Sequence, residues 1–159
     1  MRIVSGLQTG ADRAALDVAL ELGLPCGGWV PRGRQAEDGP LSDDYPNLEE
    51  TPARKVSVRT EWNVRDSDAT VILSHGPLTG GSALTAKLAR KWKRPLLLLD
   101  LEALGQELAA RRLEQWLDEV RPATRNVAGP RASKDPEIYG ATRALLRAVL
   151  SVPLRPGSL

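Results

Sequence analysis

Apolar positions along this chain switch between two periods, and the switches mark its elements. Ile3-Val4 is a short apolar run, after which Ala15, Leu16, Ala19, Leu20 and Leu22 recur at the spacing of one helix face. The pattern predicts a strand, then a helix from about Ala11 to Leu22 that Gly23 stops as a left-handed cap. A second strand is expected near Pro25 to Val30. From Pro31 to about Pro52 there is no periodicity, only Gly, Pro, Asp and Glu with Tyr45 among them. So long an irregular stretch reads as a functional lid or as a floppy surface loop. A helix over Lys55 to Arg65 then leads into the buried strand Ala69 to Leu73. Further on, a helix is predicted over Ala83 to Trp92 and a strand over Leu96 to Leu99, apolar on both faces as a covered parallel strand must be. Leu113, Trp116, Leu117 and Val120 mark an amphipathic helix that Pro122 ends. Asn126 to Gly129 is the last expected strand and Pro136 to Leu150 the closing helix.

Five strands alternating with helices predict an α/β fold: a Rossmann-like three-layer sandwich with a five-stranded, mainly parallel sheet. One domain over residues 1–152 is expected, with 153–159 as a frayed tail. In such sheets ligands bind beyond the carboxyl ends of the strands, where the winding direction switches. Three glycine turns stand at such ends: Gly6 to Asp12, His75 to Ser82, and Gly129 to Ser133. Backbone N–H groups at a helix start, aided by short polar side chains, suit an anion such as phosphate, although any one of these turns alone reads equally as plain scaffolding. The candidate ligand residues are Gly6, Gln8, Thr9, Gly10 and Asp12 in the first turn, Gly80, Gly81, Ser82 and Thr85 in the second, and Gly129 and Arg131 in the third. The spacing is neither that of the dinucleotide fingerprint nor that of a P-loop.

Composition narrows the classes. The 159 residues carry 22 basic and 20 acidic side chains, a net charge of +2 that gives no general reason to expect nucleic acid. The cluster Lys87, Arg90, Lys91, Lys93 and Arg94 reads as a solvated helix end, and phenylalanine is absent, so stacking platforms for single strands are scarce. Cys26 is the single cysteine and His75 the single histidine, which excludes an internal disulfide and a usual structural zinc set. With no apolar run approaching membrane-spanning length and no recognisable leader, a cytoplasmic protein is expected.

Five stretches carry a resemblance that covers nearly the whole chain. They are Ser5-Gly6-x-Gln8-Thr9-Gly10-x-Asp12-Arg13-Ala14-Ala15-Leu16, Gly27-Gly28-Trp29-x-Pro31-x-Gly33-Arg34, Ala36-Glu37-Asp38-Gly39-Pro40, Thr60-Glu61-Trp62-Asn63-Val64-Arg65-Asp66-Ser67-Asp68, and Asn126-Val127-Ala128-Gly129-Pro130-Arg131. Through them the chain resembles the molybdenum carrier family, whose members are molybdenum cofactor carrier protein-like. More distantly, its turns are similar to those of the Rossmann-like superfamily that includes DNA-processing protein A and the cytokinin-activating phosphoribohydrolases. In those relatives a Gly-Ser-Arg turn ends the first strand, whereas its counterpart here, Gly129-Pro130-Arg131, ends the last. The likeness therefore implies a permutation, with the last strand at the centre of the sheet in the order 2-1-5-3-4. The order 2-1-3-4-5 would instead leave Arg131 at the sheet edge, away from the other turns.

The resemblance implies a carrier of molybdenum cofactor (molybdopterin), a pterin with a phosphate and a metal held by its own sulfurs. No protein metal ligands and no catalytic residues are then expected. Gly6, Thr9, Gly10, Gly80, Gly81 and Ser82 would hold phosphate, with Arg131 supplying charge. Arg32 and Arg34 could cover the ring or simply be exposed, and Trp29 could do the same or sit in the core. A nucleotide-processing enzyme is the alternative, with Asp12, Glu37, Asp38 or Glu61 as acid and His75 as a possible general base, unless that histidine is a satisfied strand-end group. A nucleotide-sensing module is a further reading. The partner expected is a small phosphate-bearing molecule, a nucleotide or phosphate if not the cofactor, with neither membrane nor long nucleic acid involved. Trp62, Trp92 and Trp116 on three helices, together with the resemblance, suggest a homo-oligomer, a dimer or tetramer.

Overall fold

Short apolar strands with helices between them have one economical solution, a parallel sheet with helices on both faces, and the computed structural model adopts it over the described residues 1–151. In chain order, the elements of the first half are β1 (Arg2–Val4), α1 (Ala11–Glu21), β2 (Cys26–Val30), β3 (Gln35–Ala36), β4 (Gly39–Pro40), β5 (Leu48–Glu50) and α2 (Val56–Arg65). The second half adds β6 (Ala69–Ser74), α3 (Gly80–Lys91), β7 (Leu96–Asp100), α4 (Leu101–Val120), β8 (Thr124–Ala128) and α5 (Ile138–Leu150). The tail expected to fray falls outside the described residues.

The main sheet runs β5-β2-β1-β8-β6-β7, every neighbour parallel. β8 lies between β1 and β6, with Val4 opposite Asn126 and Ile72 opposite Ala128. This is the permuted order, and the carboxyl ends of β1, β8 and β6 bring all three glycine turns to one edge. The sheet has six strands instead of five. The extra one, β5, pairs with β2 from within the stretch expected to be irregular. Leu48-Glu49-Glu50 has one apolar residue and no alternation, so an exposed edge strand held by backbone bonds leaves no hydrophobic signal.

Helices α1, α4 and α5 cover one face and α2 and α3 the other. The larger core lies under the first group, with Ile3, Leu16, Leu73, Leu99, Val127, Leu145 and Leu146 essentially inaccessible. The second face is thinner, its buried apolar cluster being Val64, Leu88 and Ala89. Polar residues take the remaining room there, and the cavity described below opens among them. One boundary differs from expectation. α3 begins at Gly80, because Thr79 caps it with its carbonyl, which accepts from Ser82 and Ala83 N–H. α4 begins at Leu101, where the Asp100 carboxylate accepts from the N–H groups of Glu102 and Ala103, and it is interrupted at Gly105. Of the three helix tryptophans, Trp116 packs against the core and Trp62 meets Trp29 edge to face at 4.7 Å, while Trp92 is 38 % exposed.

Candidate functional site

A cavity of about 330 Å³ opens at the switch point, between the ends of β1 and β8 and the helices α2 and α3. Gly6, Gln8, Asp12, Gly81, Ser82, Thr85, Gly129 and Arg131 of the candidate set line it. The structure thus brings together residues from all three turns.

The chemistry of the floor comes from α2. Val56, Arg59, Thr60 and Asn63 stand at the i, i+3, i+4, i+7 spacing of one helix face, and all four line the cavity. Arg59 is only 7 % exposed; one of its Nη atoms donates to the Gly6 carbonyl at 2.5 Å and its Nε to the Thr60 hydroxyl at 3.3 Å. No carboxylate lies within 4 Å of it among the described residues. Burial accordingly pulls its pKa down, with Asp12 at longer range pulling the other way. An unpaired buried guanidinium is costly, typically by several kcal/mol. That cost is offset if the cavity receives an anion. Gly6 is glycine for a packing reason, since a Cβ there would sit 2.4 Å from the Arg59 guanidinium.

Asp12 faces the same cavity from the first turn of α1. Burial raises its pKa from 3.8 to about 6, against the pull of Arg59, the Gln8 N–H and Arg13. Its Oδ2 accepts from Gln8 N–H at 3.4 Å and its carbonyl accepts from the Ser5 hydroxyl at 2.8 Å. Helix α1 is capped by Gly10 without a side-chain bond, so Asp12 is not its N-cap. On the far wall, Gly81 and Ser82 lie in the first turn of α3, at the positive end of the helix dipole. Lys134 reaches over from the third turn; a Cβ on Gly80 would lie 2.5 Å from its ammonium. Thr85, by contrast, spends its hydroxyl on the Gly81 carbonyl, at 2.8 Å.

The remaining candidates sit beside the cavity. Gly10 has φ of +80°, and a Cβ there would lie 2.3 Å from the Pro130 carbonyl, so this glycine lets the first and third turns touch. Thr9 joins the same seam by accepting from Ala132 N–H at 3.0 Å. The segment expected as a lid is ordered: β3 and β4 form a hairpin whose Glu37 carboxylate rests on Thr9 and Ser133. Arg13 pairs with Asp38 of the hairpin, and Tyr45 donates to Asp17 at 2.6 Å. Arg32 and Arg34 lie at the base of this hairpin and do not line the cavity, nor does Trp29, whose indole N–H goes to Asp66 at 2.8 Å. His75 is also outside it, with Nδ1 2.6 Å from the Asp135 carboxylate. Glu61 pairs with Lys91 on the surface.

Arg59, Asn63, Asn126 and Lys134 are the site residues that sequence reasoning missed. A signal existed for the first two, since the polar residues Arg59, Thr60 and Asn63 recur on one helix face as an apolar stripe would.

A Rossmann-like sheet whose central strand comes last in the chain, with a cation-lined cavity at its switch point, defines a permuted Rossmann-like fold. Residues 3–150 match the profile of the circularly permutated YpsA SLOG family, and the chain belongs to that family. It is also 52 % identical, over 94 % of both chains and with a TM-score of 0.91, to a crystal structure from Syntrophus aciditrophicus SB named "Putative molybdenum carrier protein". No curated protein matches the chain.

Proposed function

We propose that this cavity binds a small phosphate-bearing ligand and that the protein carries that ligand. The observation supporting the reading is Arg59, a buried guanidinium that lines a cavity and lacks a carboxylate partner among the described residues. Arg131, Lys134 and the start of α3 add positive potential from the opposite side, against the single acid Asp12. The cavity is at the small end of the range for small-molecule sites, about 300 to 1,000 Å³, which suits a mononucleotide-sized ligand better than a dinucleotide.

Molybdenum cofactor is the candidate cargo, on the strength of the relative's name. Its phosphate suits the cation set, and its metal would arrive on its own sulfurs. The walls around the ring would be Val56, Leu84 and Val127; Arg32 and Arg34 would join only if the hairpin moved. A nucleotide is the second reading, favoured by the amides of Gln8, Asn63 and Asn126, which can hydrogen-bond a base edge. Turnover of such a nucleotide would fall to Asp12, because a carboxyl with pKa near 6 can exchange protons at neutral pH.

Retention and turnover separate these readings in one experiment. Purified protein is incubated with a panel of nucleotides, the matching nucleosides, and molybdenum cofactor released from a molybdoenzyme, then filtered and assayed for bound ligand and for products. Retention of one phosphate-bearing ligand unchanged, with its dephosphorylated form washed through, is the expected result. Product formation would make the protein an enzyme, and equal retention of phosphorylated and dephosphorylated forms would overturn phosphate recognition.

A further inference from the structure

The Glu37 carboxylate occupies a receptor that is not of its own making. Its oxygens accept from the Thr9 hydroxyl, from Ser133 N–H at 3.1 Å and from the Ser133 hydroxyl at 2.5 Å, while Arg131 Nε stands 3.5 Å away. These donors come from the first and third glycine turns, and Glu37 comes from the hairpin. Thr9 is itself buried and oriented by the bond it accepts from Ala132 N–H. The Ser133 and Thr9 hydroxyls, in that order, hold the Glu37 pKa below the ordinary carboxylate range, so the guest at neutral pH is an anion. Two residues tie this seam to the cavity. Arg131 lines the cavity and faces Glu37, and Gln8 lines it while its Oε1 accepts from the N–H groups of both Glu37, at 2.9 Å, and Thr9, at 3.0 Å.

We propose that the seam between the first and third turns is an oxyanion subsite filled from within by Glu37, and that a ligand's phosphate exchanges with this carboxylate on binding. The inference rests on the phosphate-binding reading of the adjoining cavity. One N–H, two hydroxyls and a guanidinium suit a phosphate oxygen pair as they suit a carboxylate. In the filled state Arg131 is held by Glu37, and the hairpin closes over the seam. Once exchange has occurred, Arg131 and Ser133 serve the ligand and the hairpin is released. Its remaining ties, Arg13 to Asp38 and Tyr45 to Asp17, run to α1 and keep it from leaving the surface. Binding therefore carries a penalty equal to the cost of expelling Glu37, and removing that carboxylate removes the penalty.

The test titrates inorganic pyrophosphate, and then whichever mononucleotide the wild type retains, into wild type, Glu37→Gln, Arg59→Ala and Glu37→Gln/Arg131→Ala by calorimetry. If the vacant state of the seam is populated about one time in ten, Glu37→Gln binds roughly tenfold more tightly than wild type, since apparent affinity scales with the competent fraction. The double variant loses that gain. Affinity unchanged or weakened in folded Glu37→Gln, with binding still lost in Arg59→Ala, overturns the subsite while leaving the cavity reading intact. Absence of binding in wild type and every variant overturns both. A measurement on wild type alone covers the case in which Glu37→Gln does not fold: hydrogen exchange of the Glu37 amide, which Gln8 protects, should accelerate on adding pyrophosphate. Slower or unaltered exchange at saturation would show that Glu37 stays in place and refute the exchange.

Discussion

Replacing Asp12 by Asn should stabilise the protein at neutral pH, although Asp12 lines the cavity. The folded carboxyl has its pKa raised to about 6 from an ordinary 3.8, so between these values the folded state keeps a proton that the unfolded chain has released. Stability from this group is therefore complete below about pH 4, falls as pH rises through the window to about 6, and stays at its lower level above. A difference of about 2 units at 1.36 kcal/mol each puts the loss on the order of 3 kcal/mol. The attraction of Arg59 is already contained in that net shift, because it opposes the desolvation that dominates. Asn keeps an oxygen for Gln8 N–H and never ionises. Urea unfolding of both proteins at intervals from pH 4 to 8 would show wild type losing stability up to about pH 6.5 and Asp12→Asn losing much less. The two should converge near pH 4. A variant less stable than wild type at pH 7.5, or parallel pH profiles, would refute the reasoning.

Gly81 and Gly10 should respond differently to valine. Nothing lies within 4 Å of a Cβ on Gly81, which lines the cavity, so Gly81→Val should fold normally and block binding, as circular dichroism and calorimetry would show. Gly10→Val drives a Cβ into the Pro130 carbonyl at positive φ and should cost roughly 1 to 3 kcal/mol or more of stability; a melting temperature equal to wild type would contradict this. Arg131→Ala should weaken phosphate binding and flatten its dependence on salt between about 50 and 200 mM, because it removes a half-exposed cation. Trp92 and the β7 edge residue Leu98, 38 % and 41 % exposed, are among the large apolar side chains open to the expected self-association. Light scattering of wild type should report a dimer or tetramer at micromolar concentration, and a monomer would remove that expectation.

What the sequence made legible follows from how each feature is encoded. Strands such as Ala69 to Ser74 are buried on both faces, and their unbroken apolar runs announce them. The permuted strand order was readable for a different reason: motif likeness of the Gly129-Pro130-Arg131 turn implied it where periodicity could not, and with β8 at the centre Gly10 and Pro130, 120 residues apart, meet. β5 was invisible because an edge strand with two exposed glutamates pairs with β2 through its backbone and shows no apolar alternation. Arg59 was missed because the glycine turns mark loops, while this buried cation projects from near the start of a helix. Gly10 and Thr9, expected to hold phosphate, line a seam that protein atoms fill, not the cavity. Burial of a charge depends on what the rest of the fold packs around it, and no local pattern states it.

Titration of a phosphorylated ligand and its dephosphorylated analogue into wild type, Arg59→Lys and Arg59→Ala shows whether Arg59 receives a phosphate in the cavity. A hydrogen bond between charged partners contributes about 1.5 to 3 kcal/mol, so folded Arg59→Ala should bind the phosphorylated ligand roughly 10- to 150-fold more weakly, with Arg59→Lys in between. Affinity for the dephosphorylated analogue should stay within about twofold across the series, the spread expected when no charged contact is lost. Undiminished binding of the phosphorylated ligand to folded Arg59→Ala would contradict the account.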